Sequence, residues 1–480
     1  MNILFVFSVF SLRKKQKPVL HYGNIQPGIS YISACLKQKG YATDLVILNS
    51  GHPKKSASAL EAAISAFKPD VLAFTAVFSE YDFVSAVARR VKHLHPHIFL
   101  LIGGPHVSLN TDGVLDIFDA LCIGEGEQPT LELVERLDAG KKPSGIKNLW
   151  FRDSDGVIEK NPIRPFQQDL DSLPWPDRDM WARWIAETPI QRLSLVMGRG
   201  CPFECTYCCN HALKKITDGN YVRLRSVENI IKEIAQCKKD FPELKEIYLE
   251  IETITIDQQW TRRLCAGLAE LGKQPGMNIV YGVNYRITPN SDALKMFGLF
   301  KKANFGFLNI GLESGSKRIR KEVLKRNYDN DDVYKTVRAA RENGLKVVFY
   351  NLIRVPGETW KDFLQTVEVN RSCQPEHTWT SIFYPYPGTQ LHALCVEKKL
   401  IDKNLSGAME RRISVLTIPG FSKKQIEKAY IWFDYMVYIG HTSSVKLVFG
   451  CLRKWLNLNY YLLLSLTNNV GKNFMKRISS

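Results

Sequence analysis

Apolar and polar residues along the first 137 positions switch between two periods. Short runs rich in Val, Ile, Leu and Phe at 3–10, 42–48, 71–75, 98–102 and 121–123 have the composition of strands. Between them apolar residues recur at helical spacing over 28–39, 56–67, 82–95 and 107–117, and a last helical pattern covers 128–137. Strands alternating with helices in this way predict βαβ units and a doubly wound parallel sheet. Ligands of such sheets sit beyond the carboxyl ends of the strands. From 141 to 184 the pattern is broken by Gly156, Pro162, Pro165, Pro174 and Pro176, which predicts a polar linker without long regular elements. Strand-like runs return at 193–197, 246–249, 278–283, 307–310, 346–352 and 380–383. Six strands with helices between them make a partial barrel, with its chemistry at the carboxyl-terminal mouth. Further on, Ile426, Tyr430, Phe433 and Val437 form a helical stripe suited to docking on that barrel. The expected domains are therefore 1–140, a linker at 141–190, the partial barrel at 191–395, and a basic helical region at 396–480.

A chain of 480 residues is long enough for two or three cores. With 45% hydrophobic and 24% charged residues it has the make-up of a soluble globular protein. Eleven cysteines in no paired framework argue against a secreted disulfide scaffold and suit a reducing cytoplasm. The apolar start, residues 1–10, reads as a first strand and not as a signal peptide, since no basic residue precedes it and no cleavage pattern follows. No apolar run reaches the length of a membrane-spanning helix. The formal charge is +17, and residues 396–480 carry 14 Lys/Arg against 5 Asp/Glu, with no acidic residue after Asp434. Such a tail can meet nucleic acid, an anionic lipid surface or an anionic substrate, or simply be a solvated surface, the reading the pattern favours. No helix-turn-helix or zinc module points to nucleic acid. The apolar run at 460–466, flanked by Arg453, Lys454, Lys472, Lys476 and Arg477, offers a peripheral membrane contact as the alternative to capping the core.

The densest chemistry lies in Arg199-Gly-Cys-Pro-Phe-Glu-Cys-Thr-Tyr-Cys208. Cys201, Cys205 and Cys208 are spaced C-x3-C-x2-C, so one tight loop can present three thiolates. A [4Fe–4S] cube has four irons, each normally held by a thiolate, and three ligands leave one iron open to a small molecule. A zinc knuckle completed by His211, or a cluster of buried thiols, is the competing reading. Structural zinc sites pair two such halves, however, and Cys237, Cys265, Cys373, Cys395 and Cys451 stand alone. Two glycine-rich loops follow consecutive strands of the N-terminal domain: Ile102-Gly-Gly-Pro-His106 and Ile123-Gly-Glu-Gly-Glu127. Glycine there lets backbone approach a bulky ligand or take positive φ.

With its Arg-Gly-Cys-Pro-Phe flank and Tyr207 before the third cysteine, the loop resembles that of the radical S-adenosylmethionine (SAM) enzymes. The two glycine loops resemble the cobalamin-binding domain that precedes many radical SAM domains, and Asp171-Ser-Leu-Pro-Trp-Pro-Asp177 resembles the linker between the two. The resemblance runs from Met1 to Leu391. It implies an α/β fold: a Rossmann-like, flavodoxin-order cobalamin domain, then a partial (β/α)6 TIM-type barrel and a helical C-terminal tail. It implies a [4Fe–4S] cluster on Cys201, Cys205 and Cys208, together with SAM and cobalamin. By the same resemblance Thr75, Ser79, Gly103, Gly104, Pro105, His106, Gly124, Glu125 and Gly126 line the cobalamin. Tyr207, Glu252, Asn284, Arg286, and Glu313 and Ser314 of Gly311-Leu-Glu-Ser-Gly315 fall at the SAM site, where Arg286 can fork onto the SAM carboxylate. The plainer readings make Arg286 a surface residue and Glu313 a helix N-terminal carboxylate. Pro356-Gly-Glu-Thr359 and Tyr386-Pro-Gly-Thr389 are further family landmarks. The sequence also departs from the family. It has no Asp-x-His to ligate cobalt from below, and His21 lies in the equivalent loop without that motif; the domain either leaves cobalt without a histidine or has lost the cofactor. Ile251-Glu252 replaces an acidic pair, and Val355 a glycine.

The activity implied is methylation of an unactivated carbon on a small, hydrophobic metabolite. One SAM is cleaved to a 5′-deoxyadenosyl radical that removes a substrate hydrogen, and cobalamin carries the methyl group supplied by a second SAM. An electron donor such as flavodoxin or ferredoxin is then needed. No side-chain acid or base is assignable, because the cofactors do the difficult chemistry. The alternatives are a radical cyclase, oxidase or rearranging enzyme, and a cobalamin- or cluster-dependent sensor.

Overall fold

A computed structural model describes residues 1–459, apart from 12–16, 154, 290–291, 402–406, 408–409, 412 and 419–420. The chain divides into two compact units. The first comprises Met1–Glu204, Cys208–Asn284 and Lys302–Phe305; the second comprises Cys205–Tyr207, Tyr285–Lys301 and Gly306–Ser480.

The first unit opens with β1 (Asn2–Val9), α1 (Pro27–Gln38), β2 (Ala42–Asn49), α2 (Pro53–Phe67), β3 (Val71–Thr75), α3 (Phe78–Leu94), β4 (Phe99–Gly103), α4 (Pro105–Leu109), β5 (Ala120–Cys122) and α5 (Glu127–Asp138). The strands are ordered β2-β1-β3-β4-β5 and all run parallel, the flavodoxin order. Helices on both faces bury a continuous apolar core that includes Leu4, Val6, Leu72, Leu100, Ile102 and Leu121. The expected helix over 107–117 is instead two short pieces, α4 and a 3₁₀ turn at Val114–Asp116. Asn110 leaves helical geometry at φ −147°, and Gly113 turns the chain at φ +69°. The linker also holds more structure than its prolines suggested. Strands β6 (Leu149–Arg152) and β7 (Ile158–Lys160) form an antiparallel hairpin that extends the sheet to seven strands. Leu149 and Phe151 face the core between half-buried Trp150 and Arg152, a period-two pattern too short to stand out.

The first unit continues with β8 (Arg192–Val196), β9 (Gly198–Arg199), α6 (Asn210–Leu213), β10 (Arg223–Leu224), α7 (Val227–Asp240), β11 (Glu246–Glu250), α8 (Gln258–Leu271) and β12 (Val280–Tyr285). Strands β8, β11 and β12 pair in parallel, β11 central. In the second unit follow α9 (Ala293–Lys302), β13 (Phe305–Glu313), α10 (Asn330–Glu342), β14 (Lys346–Ile353), α11 (Trp360–Cys373), β15 (His377–Ile382), α12 (Gln390–Glu397) and α13 (Lys423–Tyr438), with a last helix, α14, over 444–459. Strands β13, β14 and β15 are likewise parallel, with β14 in the middle. Six parallel strands thus alternate with helices, three in each unit, as the periodicity of this stretch requires.

Helix α13 begins at a capping box in which Ser422 accepts from the Gln425 amide and Gln425 reaches back to Ser422. Its stripe of Ile426, Phe433 and Val437 is buried against Ile353, Phe363, Val367 and Phe421, with Tyr430 half-buried beside it. The expected docking face is therefore present. Phe433 is fully enclosed there. Phe433→Ala is expected to cost about 3–5 kcal/mol, visible as an earlier midpoint in denaturant unfolding; a loss below about 1 kcal/mol would mean that α13 is peripheral to its core.

Candidate functional site

Strand β8 leads through Met197 into the short β9, which pairs antiparallel with β10, Arg199 opposite Arg223. Gly200 then turns at φ +86°; a Cβ there would lie 2.0 Å from the Tyr221 carbonyl oxygen, so only glycine fits. In the first unit this turn is bolted to the glycine loop after β5. Arg199 forks onto two carboxylates, Nη1 to Glu125 at 2.9 Å and Nη2 to Glu127 at 2.5 Å. Arg223 donates to both oxygens of Glu125 at 2.8 and 3.0 Å. Glu125 also accepts from the Gln167 amide at 2.7 Å. Burial alone would raise the Glu125 pKa, but Arg199 and Arg223 outweigh it and hold the carboxyl below its ordinary range.

The flanks of the cysteine loop belong to the first unit, and Cys205–Tyr207 to the second. Cys201 and Cys208 are half-buried and Cys205 is buried. In the second unit Arg286 Nη1 lies 3.0 Å from Cys205 Sγ. Thr206 donates to the Val323 carbonyl at 2.6 Å and accepts from the Leu391 amide at 3.0 Å. Cys208 Sγ accepts a weak contact from Asn210 Nδ2 at 3.6 Å, and its thiol pKa is pushed up, first by hydrogen bonding to Cys209 and then by burial. Among the described residues no three His, Cys, Asp or Glu side chains stand close enough together to hold a metal ion as they lie. The three thiols are thus carried on one loop, with Cys205 against Arg286 and Cys208 against Asn210. As a donor set they still suit a cluster: three soft sulfur ligands on one loop.

At the end of β13 the backbone shifts register between Gly311 and Glu313, and Glu313 takes φ +60°. A non-glycine residue in that region stores strain, and such strain concentrates at functional sites. Its carboxylate folds back over Gly311, where an added Cβ would lie 2.3 Å from Glu313 Oε1. Arg326 Nη1 meets Glu313 at 3.3 Å and the Tyr207 hydroxyl at 2.9 Å, and that hydroxyl in turn bonds the Glu313 carboxylate. Burial would lower the Arg326 pKa, but Tyr207, Tyr328 and Glu313 raise it well above the usual value. Ser314 is wholly buried and engaged with Thr366 at 3.3 Å and the Ser316 amide at 3.2 Å. In the first unit, Asn284 accepts from Tyr248 at 2.6 Å and donates to the Ile251 carbonyl at 3.0 Å, while Glu252 is exposed just after β11.

The cobalamin-type loops share one small framework at the ends of β3, β4 and β5. Gly104 sits at φ +106°, and a Cβ there would strike the Ala76 carbonyl at 2.8 Å and Thr75 Oγ1 at 2.9 Å. Ser108 accepts from the Gly124 amide at 3.0 Å and donates to the Gly104 carbonyl at 2.9 Å, tying the two glycine loops together. Pro105 opens α4 at a position that needs no amide donor. His106 is buried against the rings of Tyr81 and Phe78 at 4.3 and 5.4 Å, and burial lowers its pKa to about 4. Its Nε2 has no protein partner, an orphaned buried polar atom that suits a ligand with a polar group to offer. Ser79 is half-buried in the first turn of α3. His21 is occupied locally, its Nδ1 accepting from the Gly23 amide at 3.1 Å.

Three residues of these frameworks carry no marker in the sequence. Ser108 lies inside an ordinary helical pattern, Arg326 is thirteen positions beyond Glu313, and Tyr248 sits within a strand. Arg199 was visible only as a flank of the motif, and its two carboxylates only as members of a glycine loop.

Two expectations follow. Arg199→Ala leaves Glu127 and one side of Glu125 without their guanidinium, and is expected to cost about 3–5 kcal/mol in denaturant unfolding. Arg199→Lys should recover only part, because an ammonium cannot fork to two carboxylates; alanine within about 1 kcal/mol of the parent would show the bridge to be dispensable. The second concerns Glu358 of the Pro356–Thr359 turn, whose pKa burial raises from 4.5 to about 8. Between those values the folded chain holds a proton that the unfolded chain has released, so stability must fall as pH rises from about 4.5 to 8. Glu358→Gln should flatten that slope in unfolding measured across the range; an unchanged slope would mean that the carboxyl is ionised when folded.

The profile of the Radical SAM superfamily matches residues 195–369, and that of the B12 binding domain residues 21–134. An uncharacterized methyltransferase of Pyrococcus horikoshii is 25% identical over 414 residues, which cover 85% of this chain and 87% of that protein. The anaerobic magnesium-protoporphyrin IX monomethyl ester cyclase of Rubrivivax gelatinosus is 24% identical over 379 residues, covering 77% of this chain and 66% of the cyclase. The structure of the radical SAM methyltransferase TsrM from Kitasatospora setae, with cobalamin and a [4Fe–4S] cluster bound, has the same fold at a TM-score of 0.64 and 14% identity, over 83% of this chain and 78% of that one.

Proposed function

The chain belongs to the radical SAM enzymes that carry a B12-binding domain, and from that premise we propose that it methylates an unactivated carbon of a small, hydrophobic molecule. The observation that carries the reading is the pairing, on one chain, of the three-cysteine loop with two glycine loops at the carboxyl ends of β4 and β5, where Gly104 and Gly124 take positive φ. When bound, the cluster and SAM supply one-electron cleavage of a carbon–sulfur bond, and cobalamin supplies a transferable methyl group.

The chain's own residues then divide the work. Cys201, Cys205 and Cys208 hold the cluster, and Arg286 lies 3.0 Å from the Cys205 sulfur and positions it. Arg286 is also the candidate for the SAM carboxylate. Tyr207, Glu313 and Arg326 form a fixed polar group for the rest of SAM; Ser314 and Asn284, whose side chains are engaged, contribute through backbone and shape, and exposed Glu252 through charge. Thr75, Ser79, Gly103, Gly104, Pro105, His106, Gly124 and Gly126 receive cobalamin. Glu125 serves that site indirectly, since its carboxylate is taken by Arg199 and Arg223 and fixes the loop. An external one-electron donor of the flavodoxin or ferredoxin kind completes the cycle. We place the protein in the cytoplasm and at the periphery of a membrane; no helix among the described residues is long and apolar enough to cross one. The likeness to the cyclase favours a second reading, radical cyclisation without methyl transfer.

The decisive measurement is anaerobic. Protein reconstituted with cluster and cobalamin, given SAM, a low-potential reductant and a candidate hydrophobic acceptor, is expected to release 5′-deoxyadenosine and S-adenosylhomocysteine, and Cys205→Ala to lose both cluster iron and deoxyadenosine down to background. Deoxyadenosine alone would favour the cyclase reading, and full deoxyadenosine release by Cys205→Ala would overturn the cluster assignment.

A further inference from the structure

A peripheral membrane contact needs a surface, and α14 carries one. Its inner side is docked: Leu447, Cys451 and Leu458 are buried, the latter two packed with Ile431, Tyr430 and Tyr435. Lys454 fixes it further, meeting Asp434 at 2.8 Å and lying over the Tyr430 ring at 5.5 Å. The outer side is apolar as well. Val445, Val448, Phe449, Leu452, Trp455 and Leu456 recur at three- and four-residue steps and are all between 46% and 66% exposed. Six large apolar side chains on one solvent-facing stripe mark an interaction surface, whereas scattered exposed ones would not. Exposed Lys446 and Arg453 border the stripe, with long stems able to lie along apolar material while their charges stay in water.

We propose that this outer face of α14 docks on an anionic lipid bilayer, with Phe449, Trp455 and their neighbours in the acyl boundary and Lys446 and Arg453 at the headgroups. Charge selects that occupant. Asp434 is the last acidic residue of the chain and is already met by Lys454. A second copy seated symmetrically on the face would set its Lys446 and Arg453 against the same cations. Residues 460–480 bring Lys472, Lys476 and Arg477 and no Asp or Glu, so their side chains add to the charge of the border instead of neutralising it. An anionic membrane supplies both the apolar phase and the counter-charge. The inference rests on the peripheral placement above and on no part of the methyl-transfer reading.

The test is co-sedimentation of the full chain with vesicles of phosphatidylcholine alone and of equal parts phosphatidylcholine and phosphatidylserine. Binding is expected to the second kind only and to weaken with added salt. Lys446→Gln with Arg453→Gln should weaken it about 25-fold, and Phe449→Ser with Trp455→Ser at least about tenfold, while deoxyadenosine release stays at the parent level. Failure to bind either vesicle would sink the peripheral placement itself. Binding that survives the Phe449/Trp455 change would leave that placement standing but overturn this face. A self-associated protein that the same change renders monomeric would assign the face to a second copy and overturn the proposal.

Discussion

The guanidinium of Arg199 stands between two carboxylates of the loop after β5, and much of the first unit is arranged around keeping it there. Burying three charges together is costly, and such a cluster holds only when its hydrogen bonds are nearly complete. Here a second arginine completes it. Arg223 lies directly across the two-stranded ladder from Arg199, so adjacent strands present both guanidinium groups to Glu125. The consequence is geometric. A residue two positions before Cys201 and a residue between Gly124 and Gly126 share one rigid group, so the loop assigned to the cluster and a loop assigned to cobalamin cannot drift independently. A reaction in which hydrogen removal and methyl donation meet at one carbon requires its two cofactors at a fixed separation.

The second unit fixes its loops by different means. Two successive strands are closed by non-glycine residues in the left-handed region, β13 by its last residue Glu313 at φ +60° and β14 by the next residue, Arg354, at φ +69°. Each is restrained by a partner close in sequence: Arg326 pairs with the Glu313 carboxylate, and the Glu358 carboxyl accepts from the Arg354 backbone amide. Strain held in this way stays at the carboxyl ends of the strands, where a barrel of this kind does its chemistry. Glycine could have taken either conformation freely, but it would have surrendered the side chains that Arg326 and the Leu416 carbonyl now hold.

How far the sequence foretold this depends on which physics produced each feature. Strands β1 to β5 were legible to within a residue or two because a fully buried parallel strand is a near-continuous apolar run. The β6–β7 hairpin was not, since four residues of alternation between prolines carry too little signal, and its strand character comes from pairing to the edge of a sheet already formed. The helix expected over 107–117 failed for a local reason, the Asn110 to Gly113 turn, which apolar periodicity overlooks. At the site, the cysteines and glycines could be read because their chemistry needs those residue types at those spacings. Arg326, Ser108 and the carboxylate partners of Arg199 could not, because long-range pairing between polar side chains leaves no periodicity and needs no fixed distance along the chain.

The same distinction resolves the chain's positive charge into two populations. Arg223, Arg225, Arg320, Arg326 and Arg354 are all buried, and each is spent inside the protein. Three meet carboxylates, Glu125, Glu233 and Glu313, and Glu233 is shared between Arg225 and Arg178. Arg320 is met by the Ser314 carbonyl and Asn330, and Arg354 by backbone carbonyls at Leu416 and Ile418. Guanidinium suits these interior posts because its planar fork is weakly hydrated and satisfies several acceptors at once. The charge that acts outward is therefore not spread over every basic residue: residues 396–480 alone carry 14 Lys/Arg against 5 Asp/Glu of a chain total of +17. Part of it is carried on α14, where Lys446 and Arg453 lie on solvent-facing positions beside an apolar stripe. A uniformly basic surface would only raise solubility; cations confined to the border of an apolar face give the molecule a preferred side toward anything anionic.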